Sequence, residues 1–128
     1  MPQKLNVQYR TAAEEFARKV VASLGEQVNS IVLFGSVARK RATKESDVDI
    51  LVVGANSALE DGVFDIAYEV GEASGFETYL STVYFTREEV QELVRLGSSF
   101  IANVFEQGVI LYDDGTFSGI RSQAIGAS

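Results

Sequence analysis

The sequence predicts an α/β protein of the α+β type, in which helices flank a small mixed β-sheet. Apolar residues recur at helical spacing in four stretches, and four short runs rich in β-branched and aromatic residues alternate with them. The chain has 128 residues, which is enough for one core but leaves little room for a second. We therefore expect one domain over residues 1–115 and a flexible C-terminal tail over residues 116–128, whose small and polar side chains have little to bury.

The expected helices begin at recognisable capping signals. Residue pairs three apart predict capping boxes, and these pairs are Thr11 with Glu14, Ser57 with Glu60, and Thr86 with Glu89. A short helical turn is expected through residues 37–39. The predicted helices are Thr11–Leu24, Ser57–Ser74, Thr86–Leu96 and a last one from Ser98 or Ser99 to Gln107.

The strands are expected where apolar runs lack helical spacing. The predicted strands are Ile31–Phe34, Val48–Val53, Phe76–Phe85 and Val109–Tyr112. Aromatic residues of the later elements are interpreted as core rather than as base-stacking groups; these are Tyr79, Tyr84, Phe85, Phe100 and Phe105. Asp113 and Asp114 are interpreted as a turn.

The composition limits the chemistry that is available. The chain contains no cysteine and no histidine, so a metal would have to be held by oxygen, which favours Mg²⁺ or Mn²⁺. The net charge of −7 makes an extended nucleic-acid interface unlikely, because such interfaces neutralise phosphates with Lys and Arg. No apolar run approaches the length of a membrane span and the start lacks signal-peptide features, so we expect a cytoplasmic protein.

One stretch combines residues that suit phosphate and metal binding. Gly35 and Ser36 follow a predicted buried strand, and after ten further residues come Asp47 and Asp49 at the next strand. A glycine at a helix start lets the backbone approach a phosphate, and the free amides there donate to anions. Side chains two apart on a strand share a face, so the two carboxylates can hold divalent cations between them. The spacing predicts a metal-dependent site for a nucleoside triphosphate.

The basic residues between the two halves of this stretch have open roles. Arg39 could fix the loop through an ion pair with Asp47 or Asp49, or it could contact the triphosphate. Lys40, Arg41 and Lys44 form a basic loop, which is either simply solvated or attracts the triphosphate or a partner.

The stretch resembles the nucleotidyltransferases of the DNA polymerase beta superfamily, and specifically the minimal nucleotidyltransferases (MNT, or MntA-type antitoxins) encoded beside HEPN-domain toxins. The family pattern Gly-Ser-x-Ala-Arg-Gly is met from Gly35 to Arg39, with Lys40 in place of the last glycine. The pattern Ser-Asp-x-Asp-Leu is met from Ser46 to Asp49, with Ile50 in place of leucine. The resemblance implies the palm-like fold of that superfamily.

The sequence departs from the family at one position of the expected site. The family places a third carboxylate on the following strand, where it completes the metal site. The aligned residue here is Ser81, which cannot bind a metal as a carboxylate does. Glu77 lies four residues earlier, about 13 Å away along a strand, so it could be the third metal ligand only if the register or a bulge brings it back.

The resemblance implies a function. Gly35, Ser36 and Arg39 would bind ATP, and Asp47 and Asp49 would be catalytic and hold Mg²⁺. Larger members add a domain for the acceptor, which this chain has no room for, so a HEPN toxin is expected as the partner that receives AMP on a tyrosine hydroxyl. The protein would then be an antitoxin.

Two alternatives to this function are kept. The first is an antitoxin with weak or no catalysis that neutralises by binding alone, because the third carboxylate is missing. The second is a small-molecule or tRNA nucleotidyltransferase, which the acidic charge disfavours. Exposed strand edges make a homo-oligomer conceivable.

Overall fold

The computed structural model describes residues 2–126, with side chains from residue 6 to residue 125. In this range, helices cover both faces of one four-stranded sheet, which confirms the predicted class. The helices are α1 Pro2–Leu24, α2 Gly35–Ala38, α3 Glu60–Ala73, α4 Arg87–Arg95, α5 Ser99–Gln107 and α6 Thr116–Gly126. The strands are β1 Val28–Phe34, β2 Val48–Gly54, β3 Leu80–Thr86 and β4 Val109–Asp113.

The sheet is mixed, with strand order β3-β2-β1-β4. Strand β1 is antiparallel to both β2 and β4, whereas β2 and β3 are parallel. A parallel pair needs a crossover connection, and α3 supplies it. The short connection between β1 and β2 instead carries α2 and the polar loop that follows.

Two apolar clusters enclose the sheet. On one face α1, α2 and α3 bury residues such as Phe16, Val63 and Ile50, and on the other α4, α5 and α6 bury residues such as Val90 and Leu51. Strand β2 therefore contributes alternate side chains to the two clusters. This explains its continuous apolar sequence, which is typical of a strand buried on both faces.

Helix α1 begins nine residues earlier than predicted. The capping box at Thr11 does not form, since Thr11 lies exposed inside the helix. Tyr9 is 1% exposed and its hydroxyl donates to the carbonyl of Thr43 at 2.8 Å. Tertiary packing of Tyr9 thus continues the helix past a local start signal, as packing often does.

The start of α3 also differs from the prediction, which placed it at Ser57. Residues Ser57–Leu59 form a 3-10 turn, and the side chain of Asn56 accepts from the amide of Ala58. The predicted pairing of Ser57 with Glu60 is therefore wrong. The capping box of Thr86 with Glu89 and the N-cap at Ser98 are both confirmed.

Strand β3 is shorter than predicted. It begins at Leu80 rather than Phe76, because the chain turns after α3 with Gly75 and Phe76 both at positive φ. Tyr79 precedes the strand and is 65% exposed, so its assignment to the core is wrong. Tyr84 is buried as predicted, and Phe85 and Phe100 pack against the second apolar cluster.

The end of the described chain is helical rather than loose. Residues Thr116–Gly126 form α6, and Phe117 and Ile120 are buried in the second apolar cluster. The expectation of a flexible tail is therefore wrong for these residues, because two apolar side chains three positions apart anchor the helix. Residues 127 and 128 of the predicted tail lie outside the described residues, and the boundary at residue 115 stays a prediction.

Asp113 connects α6 to the sheet. It accepts hydrogen bonds from the hydroxyl of Ser30 on β1 and from the amides of Gly115, Phe117 and Ser118. Burial alone would raise the pKa of Asp113, but the hydrogen bonds from Ser118 and Ser30 outweigh it and lower the pKa below its usual value. What the sequence suggests as a simple turn is thus a helix cap with a charged acceptor.

No helix within residues 2–126 combines the length and the apolarity needed to cross a lipid bilayer.

Replacing Phe117 by alanine should lower the free energy of unfolding by about 3–5 kcal/mol, the usual cost of emptying an aromatic site in a core. Urea denaturation followed by circular dichroism measures this. Leu96→Ala is the matched control, because Leu96 is 66% exposed and its change should stay within about 0.5 kcal/mol. Equal effects of the two substitutions would contradict the anchoring of α6.

Asp113→Asn should lower the free energy of unfolding by about 1–2 kcal/mol at pH 7, because it weakens charge-assisted hydrogen bonds. The pKa of Asp113 is lowered by folding, so the carboxylate stabilises the fold above its unfolded pKa of about 4 and loses that effect as the pH falls through the folded value. The difference between wild type and variant should therefore shrink between pH 7 and pH 3 in urea denaturation. The exposed Asp61→Asn is the control, and a difference that persists unchanged in acid would argue against a role of the charge.

Candidate functional site

The site is built where β1 ends beside the beginning of β2. Phe34, the last residue of β1, pairs with Asp49 in the antiparallel register. Gly35 follows at φ 75°, and a Cβ added there would overlap Oδ2 of Asp49. Both the backbone conformation and the close approach therefore require glycine.

Ser36 follows Gly35 in the first turn of α2. The carbonyls of Gly35, Ser36 and Val37 accept hydrogen bonds from the amides of residues 39–41. The first amides of a helix have no hydrogen-bond partner within the helix. The hydroxyl of Ser36 makes no hydrogen bond to another described residue. Together these groups form a small set of donors beside a carboxylate.

Asp47 and Asp49 are two residues apart at the beginning of β2. Asp47 precedes β2 and is exposed, whereas Asp49 lies inside the strand and is half-buried. Asp49 belongs to the sheet face covered by α5, where its neighbour Phe34 meets the ring of Phe100 edge-on at 5.4 Å. The charge of Asp47 acts on Asp49, so the two carboxylates lie near each other, and their joint binding of a cation stays a prediction.

The environment of Asp49 opposes its negative charge. Burial raises the pKa of Asp49, the nearby charge of Asp47 raises it further, and the charge of Arg39 lowers it. A carboxylate that is desolvated beside a second carboxylate is stabilised by a cation. The local electrostatics therefore favour the binding of a positive ion at this pair.

Arg39 ends α2 and is exposed. Its charge acts on Asp49, but it forms no ion pair with Asp47 or Asp49 in the described structure. Of the two roles considered for it, the loop-fixing ion pair is therefore not observed. Lys40, Arg41 and Lys44 are likewise exposed, and Lys40 adopts a positive φ of 60°.

The expected third carboxylate is absent from β3. Ser81 pairs with Asp49 in the parallel register, which runs from Val48 with Leu80 to Gly54 with Thr86 without a shift. Glu77 lies in the turn before β3, and no bulge returns it to the site. Among the described residues, no group of three acidic side chains converges where a metal could bind, so the assignment of Glu77 as a metal ligand is wrong.

The donor set that remains still fits a magnesium ion. Mg²⁺ prefers oxygen ligands and is usually held by one or two carboxylates together with substrate phosphates and waters. Asp47 and Asp49 supply two carboxylates, and Asp49 has a raised pKa that a cation would offset. The residues therefore suit a metal that arrives with a nucleotide better than a metal held by protein alone.

The sequence predicts the residues of this site. It does not predict that Gly35 is also needed because its neighbour Asp49 occupies the space of a side chain. Gly35 was expected to admit a phosphate, and the structure adds that it makes room for the Asp49 carboxylate. This second constraint depends on the register between β1 and β2, which short sequence patterns do not give.

Comparison with known proteins agrees with this geometry. A family model described as nucleotidyltransferase domain matches residues 14–111. The chain is 34% identical over 103 residues to a candidate protein adenylyltransferase of Methanocaldococcus jannaschii, a match that covers 79% of this chain and 95% of that protein. A second candidate protein adenylyltransferase of the same organism is 37% identical over 67 residues, which cover 45% of this chain and 46% of the relative.

Solved structures share the fold at lower identity. A toxin–antitoxin structure with AMP-PNP matches with a TM-score of 0.61 and 20% identity, covering 89% of this chain and 85% of that one. A tri-AMPylated Shewanella oneidensis HEPN toxin in complex with MNT antitoxin matches with a TM-score of 0.53 and 20% identity, covering 99% and 86% of the two chains. At these identities the likeness concerns the fold.

Asp49→Asn should stabilise the protein in metal-free buffer, because it removes a desolvated charge beside Asp47. Folding raises the pKa of Asp49, so its charged form costs stability above the folded pKa, and that cost disappears as the pH falls through this value. We expect the melting temperature to rise at pH 7, by a few degrees at most, because solvent screens the charge of a half-buried group.

Differential scanning calorimetry at pH 7 and pH 4 measures this effect, with the exposed Asp65→Asn as the control. The gain should be present at pH 7 and smaller at pH 4. A lower melting temperature for Asp49→Asn at pH 7 would show that the carboxylate supports the fold rather than a ligand.

Proposed function

The chain belongs to the nucleotidyltransferase domain family, and from that premise we propose that it transfers AMP from ATP to a tyrosine hydroxyl of a HEPN-domain toxin and thereby acts as its antitoxin. The observation that carries the proposal is the Asp49 carboxylate, half-buried against Gly35 and beside Asp47, with a raised pKa. Two carboxylates side by side are stabilised by a bound cation. The adjacent backbone turn can bind phosphate.

Each residue of the site has a role in this reaction. The free amides near Gly35 and the hydroxyl of Ser36 bind the triphosphate, and Arg39 adds positive charge close to it. Asp47 and Asp49 would hold Mg²⁺ or Mn²⁺, which when bound neutralises developing charge on the phosphates. The acceptor oxygen forms a bond to the α-phosphorus, the bond from that phosphorus to the bridging oxygen breaks, and pyrophosphate leaves. The hydroxyl proton passes to solvent, since Ser81 offers no carboxylate to take it.

The acceptor and the partner are supported by similarity. The relative that is 34% identical over most of its length is named as a candidate protein adenylyltransferase. One protein that shares the fold was solved in complex with a HEPN toxin that carries AMP groups. The described residues form one sheet and the helices that cover it, with no additional domain to bind an acceptor. An acceptor on a separate protein is compatible with this arrangement. The cytoplasmic location expected from the sequence stays a prediction.

A second candidate function is a nucleotide-binding antitoxin that neutralises by binding alone. The observation that favours it is the register of β3, which places Ser81 where the family has its third carboxylate. A small-molecule or tRNA nucleotidyltransferase is favoured less, because the net charge of −7 does not suit a polynucleotide acceptor.

Intact-mass spectrometry distinguishes transfer from binding alone. The chain is incubated with ATP, Mg²⁺ and a HEPN-type toxin, and we expect the toxin to gain about 329 Da for each AMP transferred in such a phosphoryl-transfer reaction. Asp47→Asn should reduce the rate by at least about 100-fold, since weakening even the surroundings of a metal ligand costs 10- to 100-fold.

Glu106→Gln, an exposed change on α5, is the matched control and should leave the rate unchanged. A partner that binds with no change of mass, and whose neutralisation survives Asp47→Asn, would contradict transfer and establish the binding-only antitoxin.

A further inference from the structure

A groove with exposed aromatic rings lies between α3 and the edge of the sheet. Its volume is about 370 Å³, and its lining includes residues of α3, of the turn after it and of β3. Four aromatic side chains of this lining are strongly exposed: Phe64 by 45%, Tyr68 by 62%, Phe76 by 58% and Tyr79 by 65%. Exposed apolar groups gathered in one place typically mark a binding surface.

The backbone at Phe76 indicates that this aromatic surface is not incidental. Phe76 has a φ of 62°, a conformation that is unfavourable for a bulky side chain and costs roughly 1–3 kcal/mol. Its ring nevertheless lies mostly in solvent, 5.5 Å from the ring of Tyr68. A strained residue that buries little is more easily explained by what it offers to a ligand than by its contribution to folding.

The groove runs beside backbone groups that have no strand partner. Strand β3 is at the end of the sheet order, and the amide of Val48 donates to the carbonyl of Tyr79. In a parallel pair the groups that face the neighbouring strand alternate along the chain, so those of Leu80, Thr82 and Tyr84 face the open edge. The side-chain hydroxyls of Thr78 and Thr82 are buried and lack a hydrogen-bond partner.

The segments that line the groove contain no basic residue. Residues 45–86 include no lysine or arginine. The acidic residues of α3 and of the turn that follows are Glu60, Asp61, Asp65, Glu69, Glu72 and Glu77. Positive charge on a ligand is therefore favoured beside this groove, whereas a second copy of the same edge would meet like charges.

From these observations we infer that the groove binds an extended, basic and apolar segment of a partner protein, which pairs with β3 as a further strand. Its apolar side chains fill the space among Phe64, Tyr68 and Phe76. Its Lys or Arg side chains face the acidic residues of α3 and of the turn that follows, which we call the acidic rim. Addition of a strand to an open sheet edge combines main-chain hydrogen bonds with side-chain pockets in this way.

The position of the groove connects it to the candidate active site. The added strand would lie one strand spacing from Ser81 and two spacings, about 10 Å, from Asp49. Side chains of the partner on the face of Ser81 would then point toward the carboxylate pair. In this respect the inference rests on the proposed transfer to a protein, although binding in the groove does not require that transfer.

A display library of random 12-residue peptides tests the inference. The wild-type protein is used for selection, and the Phe76→Gly protein for counter-selection. Phe76→Gly removes the ring and is compatible with the positive φ, so it should keep the fold. We expect the selected peptides to be rich in Lys and Arg and to carry apolar residues at alternate positions.

Synthetic versions of these peptides then give the affinities by fluorescence anisotropy. Phe76→Gly and Tyr68→Ala should each weaken binding by about tenfold or more, as loss of an aromatic anchor does. Leu96→Ala, which removes an exposed apolar side chain from another surface, should leave it unchanged. Methylation of alternate backbone amides of the peptide should also abolish binding, because it blocks strand pairing.

Other results would overturn the inference. These are selection of acidic peptides, binding that Phe76→Gly and Tyr68→Ala do not affect, failure to select any peptide, or a dimer of the chain alone that Tyr68→Ala dissociates. Asp49→Asn should leave peptide binding unchanged, so the loss of AMP transfer and the loss of groove binding are distinguishable.

Discussion

The close approach of Gly35 to the Asp49 carboxylate is the constraint on which the site depends. It requires the Phe34–Asp49 pairing between β1 and β2, and it requires a residue without Cβ at a positive φ. The register in turn is held by apolar side chains that β1 and β2 send alternately into both clusters. A shift by one residue would reverse every side chain of β2, moving Asp49 into the core below α1 and α3. The same packing that stabilises the sheet therefore positions the carboxylate.

The arrangement of the site lowers the stability of the protein when no ligand is bound. Asp49 is partly desolvated and lies near another carboxylate, with Arg39 opposing this only from a distance. The fold tolerates the unfavourable charge of Asp49 because β2 buries apolar side chains on both of its faces. The stability of the strand therefore does not depend on the polar residues at its beginning. Such unfavourable electrostatics are common where a ligand supplies the missing charge. Asp113 shows the opposite arrangement, since its hydrogen bonds compensate for its burial and its role is to hold α6.

The sequence predicted the elements that have their own local signals. The strands of the sheet, the capping box at Thr86 and the two aspartates follow from periodicity, capping and spacing. The errors concern elements fixed by distant contacts: Tyr9 extends α1 across Thr11, and Phe117 anchors a helix whose small and polar residues suggested a loose tail. The turn that excludes Glu77 from the site and exposes Tyr79 depends on a phenylalanine at positive φ. No sequence pattern predicts that conformation.

The groove beside β3 can compensate for the absence of a carboxylate at Ser81, the residue that pairs with Asp49. In the proposed transfer, only two carboxylates would lie near the reacting atoms, so the chain would have less means of its own to activate an acceptor hydroxyl. Holding the acceptor in the right place then matters more, because positioning alone can lower a barrier by several kcal/mol. An open strand edge adjacent to Ser81 provides such positioning through the backbone of the partner rather than through a third acid. On this view the acidic rim selects the partner, the edge aligns it, and the carboxylate pair acts only on a chain that is already bound.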